Sequence, residues 1–159
     1  MENTFYRAEK FSKILERVAG EDLFDIEEDG SLKTTVHTGK TIEAFRLKVE
    51  FPDDNDRLID SVLITTRAFL GVEKHNYDRL MSLLESINEV IKYGSFFVDE
   101  DNCISFSTEC EFDLVSSQDN PFDVVFCGCE TFEKYTESIL KVLSGSTVFW
   151  LPASAMEKM

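Results

Sequence analysis

The stretch Asn76-YDRLMSLLESINEVIKYGSFFVDEDNCISFSTECEFD-Leu114 decides the fold. In its first part Tyr77, Leu80, Met81, Leu84, Ile87, Val90 and Ile91 recur at helical spacing, with Asp78, Arg79, Glu85, Glu89 and Lys92 beside them. One apolar stripe with charged flanks predicts an amphipathic helix, which Gly94 is expected to stop. The period then changes to two. Phe96 and Val98 open a strand and Asp99 to Asn102 make a turn. Ile104, Phe106, Thr108, Cys110, Phe112 and Leu114 then alternate with Ser105, Ser107, Glu109, Glu111 and Asp113. Such alternation sets one face of a strand on a core and the other in water.

Working outward, Ala8, Phe11, Ile14, Leu15 and Val18 form a helical stripe between a cap at Thr4 and a stop at Gly20. Two half-buried strands follow. In the first, Leu32, Thr34 and Val36 alternate with Lys33 and Thr35; in the second, Phe45, Leu47, Val49 and Phe51 alternate with Arg46, Lys48 and Glu50. Gly30 and Gly39 supply the turns. A further strand directs Val62, Ile64, Thr66 and Ala68 one way and Leu63 and Thr65 the other; with Leu58 and Ile59 also apolar, it is expected at the centre of the sheet. Residues 22–28 read as a weak, acidic edge strand. On the far side, Asn120-Pro121 begins a last helix with buried positions from Phe122 to Leu143 and a stop at Gly145; Gly128 weakens its middle and invites a kink or a split.

The order is therefore helix, three or four strands, helix, two strands, helix. Adjacent strands joined by short turns imply a mainly antiparallel sheet with helices packed on it, an α+β single domain over residues 1–145 with a tail over 146–159. A dinucleotide-binding fold would need strict alternation of strand and helix, which is absent. The 14 Phe residues favour a substantial core over disorder.

Asp and Glu total 31 against 16 Lys and Arg, a net charge of -15. Such a chain repels phosphate, and no clustered Lys/Arg run occurs along it, so neither nucleic acid nor an anionic membrane is the expected partner. The acidity serves solubility, or it steers basic polypeptides inward. The N-terminus lacks a basic region followed by an apolar one, and the longest apolar-leaning run, Ser61 to Val72, is broken by Thr65, Thr66 and Arg67. Both observations lead to the expectation of a cytoplasmic protein.

The sequence carries no recognisable reactive constellation. Cys110 and Cys129 fall on buried faces, with Cys103 and Cys127 on the opposite sides of the same elements, so the four do not converge on a zinc tetrahedron. His37 and His75 stand beside no nucleophile with a carboxylate. The acidic runs at Glu27–Asp29, Asp53–Asp56 and Asp99–Asn102 do not match the calcium-loop pattern; counted from Asp53 or Asp99, Leu58 or Ile104 occupies the place of its glycine. No catalytic, cofactor-binding or metal-ligating residue is therefore assigned. Phe149 and Trp150, in the tail, are the candidate partner-binding residues; they either cover the end of the core or form a docking segment or dimer contact.

Three segments carry a family resemblance. Leu83-LESI-Asn88 is similar to the leucine-rich helix ending in asparagine of the YbjN family, described as bacterial sensory transduction regulators. Tyr93-GSFFV-Asp99 and Ile104-Ser-Phe106 resemble its glycine, aromatic and aspartate strand region, and Leu140-KVLS-Gly145 its terminal helix. The family usually carries glycine where Asn102 stands, although asparagine also tolerates left-handed geometry. The resemblance implies a type III secretion chaperone-like fold and supplies no catalytic residues. The resulting expectation is a non-enzymatic module that binds a partner polypeptide or forms a homodimer, without a cofactor. The alternative is a small-molecule or metal-binding regulator using Asp53, Asp54 and Asp56 or the cysteines.

Overall fold

The strands β1 (Asp25–Ile26), β2 (Leu32–His37), β3 (Ala44–Glu50), β4 (Ser61–Gly71), β5 (Ser95–Val98) and β6 (Cys103–Glu111) build one sheet in the order β1-β2-β3-β4-β6-β5. Every neighbouring pair is antiparallel. The helices are α1 (Glu2–Ala19), α2 (Tyr77–Val90), α3 (Phe112–Ser116), α4 (Phe122–Val125) and α5 (Cys127–Leu143), with a 3-10 turn at Lys74–Asn76 leading into α2. The computed structural model describes residues 2–38, 40, 42–52, 61–117 and 120–144. Among these, no helix is long and apolar enough to cross a membrane. The architecture is the expected α+β arrangement, with β3 and β4 in the middle and the acidic β1 at one edge.

Period-two patterning sorts the sheet into two faces. Leu32, Phe45, Leu47, Val49, Val62, Ile64, Ala68, Ile104 and Phe106 are buried beneath the helices. Phe11 of α1 meets Phe51 and Phe112 edge-on at 5.7 and 5.8 Å. Phe45 of β3 meets Phe132 of α5 at 5.3 Å. Phe96 joins the layers, with its ring 5.0 Å from Phe106 and 4.9 Å from Phe132. Fully burying such a side chain contributes about 1.5–3 kcal/mol, and this ring also gains from edge-to-face geometry.

Two polar side chains tie the ends of elements together. Asn76 is buried at the start of α2, and its Nδ2 donates to the Leu143 carbonyl at 3.0 Å, satisfying an acceptor in the last turn of α5. Asn88 pairs with the backbone of Phe96 in both senses: the Phe96 N–H donates to Oδ1 at 2.7 Å, and Nδ2 donates to the Phe96 carbonyl at 3.0 Å. The amide thus occupies the outer side of β5, where another strand would otherwise pair.

Several sequence expectations are corrected. α1 begins at Glu2, ahead of the expected cap at Thr4, while Gly20 does end it at φ +78. Val18 of the expected stripe is exposed, as is Tyr77 in α2, where Leu83 is buried instead. β6 stops at Glu111, so Phe112, Asp113 and Leu114 lie in α3. Phe112 and Val115 are buried at helical spacing and Leu114 is 47% exposed, so packing against Phe11 and Phe51 overrides the alternating pattern. α2 ends at Val90, four residues before Gly94. Glycine is required at position 94 for another reason: a Cβ there would run into the Phe106 ring and the Ser107 carbonyl. The last helix is divided, as Gly128 suggested, but at Phe126. Gly128 itself lets α5 approach Thr66 of β4. α4 starts at Phe122, with Pro121 at the cap position expected for Asn120, although the Asn120 Oδ1 still accepts from the Phe122 N–H at 3.2 Å.

Candidate functional site

The helices pack on one face of the sheet, and among the described residues no helix covers the other. Its outward side chains line a cleft of about 530 Å³ running from β2 to the β5–β6 hairpin. Register assembles it. Lys33 of β2 stands opposite Lys48 of β3, and Arg46 of β3 opposite Arg67 of β4. The next partners in these two rows are Thr65 and Ser105, and Phe97 of β5 lies beyond Ser105.

The hairpin side of the cleft is acidic and tightly organised. Asn102, at φ 60, makes its turn, so asparagine takes the left-handed position expected of glycine. Asp99 is the centre of the network. Its Oδ1 accepts from the backbone N–H groups of Asp101 and Cys103 at 3.0 and 3.1 Å, and its Oδ2 accepts from the Ser105 hydroxyl at 2.9 Å. Arg67 Nε lies 2.7 Å from Oδ2, and its Nη2 lies 3.1 Å from Asp101. Burial pushes the Asp99 carboxyl up. The hydrogen bonds from Cys103, Ser105 and Asp101, together with the Arg67 charge, outweigh burial and hold it below the ordinary aspartate range.

The remaining cations are less engaged. Lys48 Nζ is 3.9 Å from Glu50, a long surface pair; Lys33 and Arg46 make no close ion pair with any described residue, although the Asp29 carboxylate feels both Lys48 and Lys33 from farther away. The cleft is therefore bipolar, with lysine and arginine on β2 and β3 facing Asp99, Glu100 and Asp101 on the hairpin. It can hold a ligand by charge and hydrogen bonding. Its most buried carboxylate is committed to four groups, one from each of four residues, and is poorly placed to accept a proton.

The sequence reading missed this cluster because its four cations lie on three strands and meet only through register. The available signal was the outward, basic position of Lys33, Arg46, Lys48 and Arg67 in their alternating runs. Phe149, Trp150, Asp53, Asp54, Asp56 and Gly39 lie outside the described residues. The cysteines are free thiols. Cys129 is buried as expected, but Cys127 packs half-buried against the core instead of facing outward, and Cys110 is also half-buried. Burial pushes the Cys127 thiol up to about 11 and the Cys129 thiol up to about 12, with nearby acidic groups adding to both. Such thiols are poor nucleophiles at neutral pH. Among the described residues, no group of three or more His, Cys, Asp or Glu side chains is arranged to hold a metal. His37 and His75 are both exposed. In comparison with known proteins, the chain matches no family model and no curated protein.

Proposed function

We propose that this domain is a non-enzymatic interaction module that receives a partner polypeptide on the open face of its sheet. The observation carrying this reading is the cleft across β2–β6, built from side chains of five strands with Lys33 and Arg46 left unpaired among the described residues. A rigid antiparallel sheet holds these groups at fixed spacing, which lowers the ordering cost of recognition. The resemblance to the YbjN family and its chaperone-like fold points the same way by analogy. Free thiols at all four cysteines suit a reducing cytoplasm as the place of action.

The test is selection of displayed random peptides against the folded domain, followed by amide chemical-shift mapping with a selected peptide. Shifts concentrated at Lys48, Thr65, Arg67 and Ser105 are expected. A mapped surface confined to the helices would overturn the assignment, and so would failure to select any saturable peptide.

A further inference from the structure

We infer that the partner presented to this cleft is a short acidic segment, its carboxylates received by Lys33, Arg46 and Lys48. The inference rests on the proposed binding role and adds the chemistry of the partner. Two like-charged pairs sit directly opposite each other on adjacent strands, Lys33 with Lys48 and Arg46 with Arg67. Like charges in that arrangement destabilise a sheet. The chain carries almost twice as many acids as bases, so acidic residues were abundant for these positions, yet both pairs are cationic. Among the described residues the close ion pairs of this group are those of Arg67 with Asp99 and Asp101, whereas Asp29 and Glu50 act on Lys33 and Lys48 only at longer range. An anion placed over Lys33, Lys48 and Arg46 would relieve repulsion that the free protein retains.

Geometry narrows the anion further. Neighbouring strands are about 5 Å apart and outward residues on one strand about 7 Å apart, so these three cations span the reach of two or three residues of an extended peptide. Beyond Arg67 the sign reverses at Asp99, Glu100 and Asp101. A uniformly anionic polymer would meet those carboxylates as it continued along the cleft. A polypeptide can place acids over β2 and β3 and change character at the hairpin, where the half-buried Phe97 offers an apolar contact. Charge steering by the whole molecule favours basic partners, but the Debye length of about 8 Å at physiological salt leaves contact pairs in control at the cleft.

Fluorescence anisotropy with labelled hexaglutamate tests the inference, with oligo-dT and inorganic tripolyphosphate as competitors and the double variant Lys33→Gln/Arg46→Gln as the probe of the site. Saturable hexaglutamate binding is expected, about tenfold weaker in the double variant, from two exposed charge pairs lost. The variant should unfold no earlier in urea than the parent, because it removes one member of each repelling pair; this separates lost binding from lost folding. Three results would overturn the inference: no saturation below millimolar protein, equal affinity in parent and variant, or displacement by oligo-dT or tripolyphosphate at lower concentration than unlabelled hexaglutamate. If display instead selects peptides without Asp or Glu that still map to the sheet face, the acidic chemistry is wrong while the binding role stands. If no peptide is selected at all, both fail.

Discussion

Replacing Asp99 by asparagine removes the charge at the centre of the hairpin network and leaves its shape nearly unchanged. If the amide oxygen keeps the Asp101 and Cys103 N–H groups, the amide nitrogen must face the Ser105 hydroxyl and Arg67. Ser105 can turn to accept, but the guanidinium loses its 2.7 Å partner and meets an NH2 group instead. The Asp99 side chain is only 11% exposed. A hydrogen bond to a charged group contributes about 1.5–3 kcal/mol, and partial exposure of Arg67 argues for the lower part of that range. Asp99→Asn should therefore cost about 2 kcal/mol at neutral pH. With a urea dependence of about 2 kcal/mol per M, the midpoint falls by about 1 M. The pH dependence has a definite sign. Asp99 titrates below its unfolded value of about 3.9, so its stabilisation is fully present above that pH and is lost as pH falls through the lower folded value. The difference between parent and Asp99→Asn should shrink below about pH 4. Urea titrations of both proteins at pH 7 and pH 3 measure it. A cost below about 0.5 kcal/mol at pH 7, or a difference that grows on acidification, would refute the reasoning.

Asn88→Ala should cost about 2 kcal/mol by leaving the Phe96 N–H and carbonyl without their partners. Hydrogen exchange should show the Phe96 amide losing protection, and an unchanged rate would count against the contact. Gly94→Ala should destabilise by at least about 2 kcal/mol, because Phe106 and the Ser107 carbonyl must yield to the new methyl. Gly71→Ala, where nothing lies within reach of a Cβ, should stay within about 0.5 kcal/mol; similar thermal shifts for the two would contradict the packing. Disulfide-exchange reagents at pH 8 should leave Cys129 and Cys127 slow in the folded protein and fast in urea, since burial suppresses both thiolates. Rapid native labelling at either position would contradict their burial.

Elements whose local preference agreed with their tertiary surroundings were readable from sequence. β4 is the clear example: Val62, Ile64, Thr66 and Ala68 are all buried, at the centre of the sheet, as their period requires. At Phe112 and Leu114 the alternation continues beyond the strand, while the decisive contacts of Phe112 with Phe11 and Phe51 come from distant parts of the chain. Gly94 follows an apolar stripe, the place where a glycine commonly stops a helix. Its actual constraint, the Phe106 ring, is visible only once β5 and β6 pair. The cleft was illegible for the same reason. A linear search for basic runs passes over Lys33, Arg46, Lys48 and Arg67, each flanked by neutral or apolar neighbours, because strand register is what gathers them.

The two borders of the sheet limit how copies of this chain could assemble. At one border β1 offers two residues, with Asp25 and Ile26 both exposed and Glu27 next in sequence. At the other, Asn88 already holds both hydrogen-bonding groups of Phe96. Among the described residues, neither border presents a long row of free backbone groups that would let one sheet continue into another. Head-to-tail fibres built by strand addition are thus disfavoured. Among the described residues, the surfaces left for a homodimer are those of the helices and the sheet face opposite them, which suit a closed two-fold pair in which each copy covers the same patch on the other.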